Sequence, residues 1–298
     1  MIHGYLNKIR GLFDSEPMEP HFSKLHDDAL VDILLRLPAK EIVRGMLVDK
    51  QWYRVVNTHR FWVQKCIFDG YLDDPNITSQ FIKLPLSLLI KCIVKRAFNR
   101  NLLDDDFTVS PPKLDKRWMK NRMQDHWDNA KFAIESPPVF LNEMRSPELD
   151  TNPEPFESCL VSSFQLSRRR IAINLADYGL DKKALNTLKP TIVVTEFFSN
   201  RSDCACVYNF NSAVLNSTDF TIIDGQLRGG IKTSERIPQW EPQWWRKVEH
   251  KHTNYKNAQY VHVISEGKDG QFWAGNYGTK IAGTSVVVQF EFNCEQDQ

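Results

Sequence analysis

Two pairs of side chains, one of histidines and one of cysteines, have spacings that could support chemistry. His250 and His252 lie two residues apart, as do Cys204 and Cys206, and on a β-strand such residues share one face. Two imidazoles could begin a metal site, but no third ligand accompanies them in the sequence, and solvated strand histidines are the alternative. The cysteines are expected to pack as small hydrophobic side chains. The sequence therefore predicts neither a metal ion nor a cofactor.

The sequence motifs of the common hydrolytic enzymes are missing. The chain contains no G-x-S-x-G, no phosphate-binding glycine loop and no H-E-x-x-H. Acyl transfer, nucleotide hydrolysis and zinc proteolysis therefore lack the residues that carry them. We expect a protein that has no catalytic residues.

A turn-rich run near the carboxyl end, Ser265 to Gly278, holds two adjacent large aromatic residues. Phe272 and Trp273 follow the predicted turn formers Gly267 and Asp269-Gly270, and Trp273 is expected where a strand begins. Neighbours on a strand point to opposite faces, so both rings cannot enter one core and at least one should be displayed. A displayed ring can stack on the C–H face of a sugar, with a gain of about 1 kcal/mol. The alternative is that these loop aromatic residues pack against the end of the β-sandwich and bind no ligand.

The composition indicates where the protein works and which partners it lacks. Thirty-eight basic side chains balance 37 acidic ones, so no global field attracts nucleic acid or an anionic membrane. The six cysteines show no repeated C-x-x-C spacing, which favours a reducing compartment. Residues 1–20 lack the apolar run of a signal peptide, and the longest apolar run, Leu84 to Val94, falls short of the roughly 20 residues of a membrane span. We expect a cytoplasmic protein without membrane insertion or nucleic-acid binding.

Helical patterning begins near residue 25. Apolar residues recur at helical spacing at Leu30, Ile33, Leu34 and Leu37. Asp27 or Asp28 is the expected N-cap, and Pro38 should stop the helix. Two further apolar sets, at residues 42–47 and 52–56, predict two more short helices, with Phe61 and Trp62 just beyond the third. A unit of about 40 residues seldom folds alone, so we expect a partner protein to complete its core; packing against the rest of the chain is the alternative.

The helical unit, residues 25–62, resembles the F-box motif. The resemblance is carried by residues 25–38, Glu41 to Arg44, Leu47-Val48, Lys50, Trp52 and Phe61-Trp62. It departs at His26, where most F-boxes have proline, and at Gly45-Met46. The resemblance implies docking to the small adaptor of an SCF ubiquitin ligase and, through that adaptor, to the cullin. The implied adaptor contacts are Leu25, Leu30, Ile33, Leu34, Leu37, Pro38, Ile42, Leu47, Val48 and Trp52.

The remaining chain predicts a helical linker followed by a β-domain. An apolar stripe between Leu86 and Ala97 predicts a packed helix in a linker over residues 63–100, with a membrane-surface helix as the alternative. Prolines then punctuate residues 137–155, which cannot hold a helix. Strands are predicted at Arg170–Leu175, Thr191–Phe198, Tyr260–Ile264 and Ser285–Phe292. The expected fold class is α + β: an amino-terminal segment (1–24), a helical F-box, a helical linker, and an antiparallel β-sandwich over residues 101–293.

Residues 99–290 resemble the F-box-associated domain of the sugar-recognising F-box proteins, which bind the chitobiose core of N-glycans on misfolded glycoproteins exported to the cytosol. The matching runs are Arg100–Leu103, Ser162–Phe164, Pro190–Val194, Arg201–Tyr208, Gln271–Gly278 and Thr284–Val288. The resemblance implies glycan contacts at Phe164, Asp203, Phe272 and Trp273. In this family Phe272 is usually tyrosine, and Asn276 is usually a large aromatic residue.

These resemblances imply a non-catalytic receptor that delivers N-glycosylated proteins to a ubiquitin ligase for degradation. One alternative is an SCF receptor that recognises a protein surface without a glycan. A carbohydrate-active enzyme is the other, but it would need two carboxyl groups across one cleft, and only Asp203 falls among the expected sugar contacts.

Overall fold

The computed structural model of the chain describes residues 25–71, 75–103, 132–135, 156–217, 221–223 and 226–290. The predicted amino-terminal segment and the proline-rich stretch lie outside these residues. The chain forms two compact units, residues 1–65 and 66–298. A helical amino-terminal part is followed by antiparallel sheets, which confirms the predicted fold class. The predicted limit between linker and sandwich at residue 100 stays a prediction.

Short helices build the described part of the first unit. They are α1 (Asp27–Leu35), α2 (Ala39–Gly45), α3 (Lys50–Val56) and α4 (His59–Phe68), and the division between the two units falls within α4. The three predicted helices are present. Phe61 and Trp62, which were expected beyond the third helix, lie in α4. A two-residue break after Val56 separates α3 from α4.

The N-cap of α1 differs from the prediction. The residue at the cap is His26, whose Nδ1 accepts a hydrogen bond from the Asp28 N–H at 3.4 Å. Asp27 instead lies in the first turn and accepts hydrogen bonds from Gln51 at 2.9 Å and from Arg54 at 2.9 Å. A carboxylate in the first turn also interacts favourably with the helix dipole. Tertiary contacts to α3 therefore decide the role of Asp27.

The close approach of α2 and α3 depends on a glycine. A Cβ atom at Gly45 would lie 2.8 Å from the ring of Trp52, so a larger residue would push the helices apart. On α4, Lys65 donates from Nζ to the carbonyl oxygen of Leu35 at 3.0 Å, which satisfies a carbonyl at the end of α1. The departure from the motif at Gly45 thus has a packing reason.

The second unit begins with helices that pack against its sheets. After α5 (Pro75–Ile82) comes α6 (Leu86–Val94), whose residues Leu89, Cys92 and Ile93 are buried. Lys91 donates to the carbonyl oxygen of Ala176 at 2.6 Å. The rings of Phe81, Phe98 and Phe290 meet with centroids 5.3–5.6 Å apart. The predicted packed helix is confirmed, and its apolar stripe is not exposed as a membrane-surface helix requires.

None of the helices in the described part of the chain has both the length and the apolar run that a membrane span requires.

Eleven strands are present in the described part of the second unit, together with α7 (Lys182–Leu188). The strands are β1 (Ala133–Glu135), β2 (Cys159–Val161), β3 (Ser167–Asn174), β4 (Thr191–Ser199), β5 (Cys206–Leu215), β6 (Ile222–Ile223), β7 (Gln226–Leu227), β8 (Ile231–Ile237), β9 (Arg246–His252), β10 (Tyr260–Asp269) and β11 (Lys280–Gln289). One sheet has the order β1-β2-β11-β4-β9, a second has β3-β10-β5-β8, and β6 pairs with β7. Every pairing is antiparallel.

Side chains from the two larger sheets meet in a common core. Phe198 on β4 stacks on Tyr208 on β5 at a centroid distance of 4.1 Å. The fully buried carboxylate of Glu196 on β4 forms an ion pair with Arg169 on β3 and accepts a hydrogen bond from the Tyr208 hydroxyl at 2.9 Å. Ser265 on β10 donates to the same carboxylate at 2.8 Å. Burial and the nearby Glu196 charge raise the pKa of Tyr208. The sheets therefore face each other as a sandwich.

Candidate functional site

Four connections between strands lie at the same end of the sandwich. They are residues 162–166, 200–205, 238–245 and 270–279. The strand registers establish this arrangement, because the last residues of β2 and β4 pair with the first residue of β11, and the end of β10 pairs with the start of β5. The end of β8 also pairs with the start of β5, and the end of β4 pairs with the start of β9. We call these four connections the end loops.

Backbone hydrogen bonds join the end loops to one another. Asp269 N–H donates to the Ser163 carbonyl at 2.9 Å, and Gly278 N–H donates to the Ser162 carbonyl at 3.0 Å. On the other side, Gly270 N–H donates to the Ala205 carbonyl at 2.7 Å. The predicted glycan contacts Phe164, Asp203, Phe272 and Trp273 all lie on these joined loops. The structure thus brings together residues that are more than 100 positions apart in the sequence.

Both adjacent aromatic residues are displayed. Phe272 is 71% exposed and Trp273 is 39% exposed, and Phe164 on its own loop is also exposed. The expectation that Trp273 starts a strand is wrong, because β10 continues to Asp269 and β11 begins only at Lys280. Trp273 therefore lies within a loop, where alternation of side-chain faces does not apply.

The strand β10 extends through a segment that its glycine marked as a turn. A Cβ atom at Gly267 would lie 2.9 Å from Thr279 and 3.0 Å from the Ser162 hydroxyl. The glycine is therefore needed because neighbouring segments pack closely there, and not because the chain turns. The turn follows at Asp269, whose Oδ1 accepts hydrogen bonds from the N–H groups of Gln271 at 3.1 Å and Phe272 at 2.6 Å.

Asp203 forms a bidentate salt bridge with Arg201. Arg201 Nε donates to Oδ1 of Asp203 at 2.9 Å, and Arg201 Nη2 donates to Oδ2 at 3.1 Å. Each side chain is about a quarter exposed. These hydrogen bonds lower the pKa of Asp203 and raise the pKa of Arg201. Asp203 is thus an ionised acceptor, but Arg201 already occupies one position on each oxygen. A carboxylate oxygen can accept a second hydrogen bond, so a ligand could still use the outward lone pairs.

A continuous set of contacts leads from Trp273 to Asp203. The rings of Trp273 and Tyr277 pack edge to face with centroids 5.8 Å apart. The Arg201 guanidinium lies over the Tyr277 ring, 4.6 Å from its centroid, and binds Asp203. Tyr277 and Arg201 were not among the predicted contacts, although both belong to the runs that carry the family resemblance. Gly275 makes the loop possible, since a Cβ there would lie 2.6 Å from the Tyr277 ring.

The ten predicted adaptor contacts fall into two groups. Leu30, Leu34 and Ile42 are buried, so in this conformation they contribute to the core and present no surface to a partner, which corrects their expected role as contacts. The other seven have accessible surface: Ile33, Pro38, Leu47 and Val48 are exposed, and Leu25, Leu37 and Trp52 are half-buried. Leu47 and Val48, in the break between α2 and α3, are 90% and 72% exposed.

The two strand histidines are buried in the sandwich and are not solvated. His250 and His252 are buried, and the Ser212 hydroxyl lies 2.8 Å from Nδ1 of His250 and 2.8 Å from Nε2 of His252. Burial lowers the pKa of both histidines to about 4. Within the described ranges, no group of three or more His, Cys, Asp or Glu side chains is placed to hold a metal ion. The face shared by the histidines points at the opposite sheet, so the alternative of solvated histidines is wrong.

The two neighbouring cysteines are core residues, as predicted. Cys204 and Cys206 are both free and buried. Burial raises the pKa of Cys206 to about 11 and also raises that of Cys204. A thiol with a raised pKa is a poor nucleophile and a poor metal ligand.

Comparison with known proteins identifies the family. Residues 93–288 match the F-box associated region (FBA). Similar relatives include F-box only protein 6 of Rattus norvegicus, 24% identical over 90% of this chain and 87% of the relative. F-box only protein 17 of Homo sapiens is 21% identical over 93% and 96%. F-box only protein 2 of Bos taurus is 23% identical over 93% and 86%. With about two thirds of its length matched, the chain belongs to the F-box-associated (FBA) family.

Proposed function

We propose that this protein is the substrate receptor of an SCF-type ubiquitin ligase and that its end loops bind the chitobiose core of N-glycans on misfolded glycoproteins. The observation that carries the proposal is the connected set Trp273, Tyr277, Arg201 and Asp203, with Phe164 on the adjoining loop. Exposed rings next to an ionised, oriented carboxylate are the groups that an amphipathic sugar needs.

The end loops offer a sugar two kinds of contact. The Trp273 ring can stack on an apolar C–H face, with a gain of about 1 kcal/mol. Asp203 can accept hydrogen bonds from hydroxyl or N-acetyl N–H groups, each worth roughly 1.5 to 3 kcal/mol because the acceptor is charged. Arg201 holds the carboxylate in one orientation, so little ordering of Asp203 is required on binding.

The geometry favours binding without cleavage. A glycosidase needs one carboxyl group that stays protonated as the general acid and a second as nucleophile or base. The ion pair with Arg201 lowers the pKa of Asp203, so Asp203 is unsuited to donate a proton at neutral pH. This argument supports a receptor over a carbohydrate-active enzyme.

The break between α2 and α3 is the proposed docking point for the adaptor. Leu47 and Val48 expose large apolar side chains next to each other. Burial of such exposed apolar surface against a partner is favourable, because it removes the side chains from water. This surface would link the receptor to the cullin, while the end loops hold the glycoprotein.

Binding measurements on the full chain test the glycan proposal. We expect a high-mannose glycoprotein to bind, the same protein stripped enzymatically of its glycans not to bind, and free chitobiose to compete. Trp273→Ala should remove binding with little loss of thermal stability, because the ring is displayed. Phe68→Ala, which truncates an exposed aromatic residue on α4, is the matched control and should bind normally.

Three results would contradict the proposal in different ways. Equal binding of the glycosylated and stripped proteins would favour a receptor for a protein surface. Release of free sugar by the purified chain, lost in Asp203→Asn, would favour the enzyme. If Trp273→Ala melts much earlier, as a core truncation costing roughly 3 to 5 kcal/mol would, Trp273 is structural and does not form the site.

A further inference from the structure

The end loop between β8 and β9 displays a tryptophan that the proposed glycan contacts do not include. Trp240 is 74% exposed, although its large ring is of the kind usually withdrawn from water. Its backbone has φ of 75°, a left-handed conformation that is an outlier for a bulky residue. The Trp240 N–H donates to the carbonyl oxygen of Ser202 at 2.5 Å. The residue is therefore anchored by its backbone while its ring faces solvent.

The loop that carries Trp240 is fastened to the turn that carries Asp203. Gln239 donates from Nε2 to the carbonyl oxygen of Asp203 at 2.7 Å. Further along, Gln243 donates to the carbonyl oxygen of Asn200 at 3.1 Å, and Asn200 donates from Nδ2 to the Glu241 carbonyl at 3.3 Å. Bonds on both sides of Trp240 thus fix its position relative to the Arg201–Asp203 pair.

Strained aromatic residues concentrate at this end of the sandwich. Among the described non-glycine residues with positive φ, the aromatic ones are Trp240 and Phe272, and both lie in end loops. Each is held by a hydrogen bond from its own N–H, to Ser202 in one case and to Asp269 in the other. Backbone strain that is retained through such bonds commonly marks ligand-binding segments. Here the two strained residues hold large rings exposed on the two end loops that are hydrogen-bonded to the loop of Asp203.

We propose that the Trp240 ring is a second sugar-stacking surface, which binds a sugar that extends the chitobiose unit. This inference rests on the proposed function and adds a determinant of glycan length to it. Asp203 is connected to Trp273 through Arg201 and Tyr277 and, separately, to Trp240 through Ser202 and Gln239. A disaccharide that stacks on Trp273 and bonds to Asp203 leaves Trp240 for the next ring. The amide side chain of Gln239 beside it suits a neutral, hydroxyl-rich ligand.

Titration calorimetry on the full chain with two probes tests this inference. The probes are chitobiose and the mannose-extended N-glycan core, and the variants are Trp240→Gly and Trp240→Phe. Glycine suits the left-handed backbone, so Trp240→Gly should melt at the wild-type temperature or above. We expect it to lower affinity for the extended glycan about five- to tenfold and to leave chitobiose affinity within about twofold. Trp240→Phe should retain most of the affinity for the extended glycan, and Phe68→Ala should match wild type with both probes.

The outcomes separate this inference from the proposed function. If the wild-type chain binds both probes and Trp240→Gly binds each of them as tightly as the wild type, the proposal of a second stacking surface is wrong and the glycan site stands. The same conclusion follows if Trp240→Gly lowers the affinity for both probes to the same extent, since Trp240 would then make no specific contact with the added sugars. If the wild-type chain binds neither glycan, both the proposed function and this inference fail.

Discussion

The guanidinium of Arg201 lies 4.6 Å from the centroid of the Tyr277 ring and at the same time donates two hydrogen bonds to Asp203. One side chain therefore joins the aromatic part of the end loops to their charged part. A bidentate pair with a carboxylate requires the planar guanidinium, and the same planar group can also stack on an aromatic ring. Arg201 is thus the residue on which the geometry of the site depends.

Arg201→Ala should lower glycan affinity about tenfold, since Asp203 loses its orientation and Tyr277 loses its cation. Arg201→Lys should recover only part of the loss because an ammonium group cannot form the two-pronged pair. Titration of chitobiose into each variant measures the effect. Arg228→Ala, an exposed arginine on the turn after β7, is the control. Wild-type affinity in Arg201→Ala would show that orientation of Asp203 does not matter.

Phe272→Tyr should strengthen glycan binding. The ring is largely exposed, so a hydroxyl group can be added without disturbing the core, and one new hydrogen bond is worth about 0.5 to 1.5 kcal/mol. We expect affinity to rise roughly two- to tenfold at unchanged thermal stability. An unchanged affinity would mean that the ring edge of Phe272 does not face the sugar.

Leu47→Asp should prevent recruitment of the SCF adaptor without affecting the fold. The side chain is almost fully exposed, so the charge meets water in the free protein but would be buried and unpaired at an apolar interface, at a cost of several kcal/mol. Co-purification with the adaptor and thermal unfolding report the two effects separately. Leu34→Ala, at a buried position in α1, should instead lower the free energy of unfolding by about 2 to 5 kcal/mol. Normal co-purification of Leu47→Asp would remove Leu47 from the docking surface.

The stability of the second unit should fall in mild acid. Burial lowers the pKa of His250 and His252 from the ordinary 6.5 to about 4, so between these values the unfolded chain binds more protons than the folded one. The free energy of unfolding therefore decreases as the pH falls from about 6.5 to about 4, by up to ~3 kcal/mol per histidine. Denaturant unfolding at several pH values measures this slope. The double variant His250→Gln, His252→Gln should flatten it; an equally steep slope would assign the effect to other groups.

Removal of Glu196 should strongly destabilise the sandwich. Glu196→Ala leaves the Arg169 charge buried without its partner, which costs about 3 to 5 kcal/mol, and it also removes the acceptor of the Tyr208 hydroxyl. Glu249→Ala is the matched control, because its pair with Lys247 is partly exposed and is worth less than about 1 kcal/mol. Chemical denaturation compares the two. Similar losses in both variants would contradict the assignment of the buried pair to the core.

Local sequence determined much of the architecture. Helical spacing of Leu30 and Leu34 predicted α1, and the β-branched run from Thr191 predicted β4, because these patterns reflect the geometry of a single helix or strand. The candidate glycan contacts also came from short runs, and the structure places all four on joined end loops. Failures occurred where a residue's role depended on a distant segment. Gly267 suggested a turn, but its reason is close packing against Ser162 and Thr279.

Tertiary structure alone decided which strand faces are buried and which side chains form pairs. A spacing of two residues placed His250 and His252 on one face, but it could not tell whether that face meets water or the opposite sheet. Likewise, nothing local indicated that Arg201 would bind Asp203 while it covers Tyr277, 76 positions away. The backbone of one strand determines which of its residues share a face. The packing of two sheets determines which of them are buried and which residues they contact. The sequence therefore indicated the candidate contact residues, and only the assembled sandwich determined how they connect.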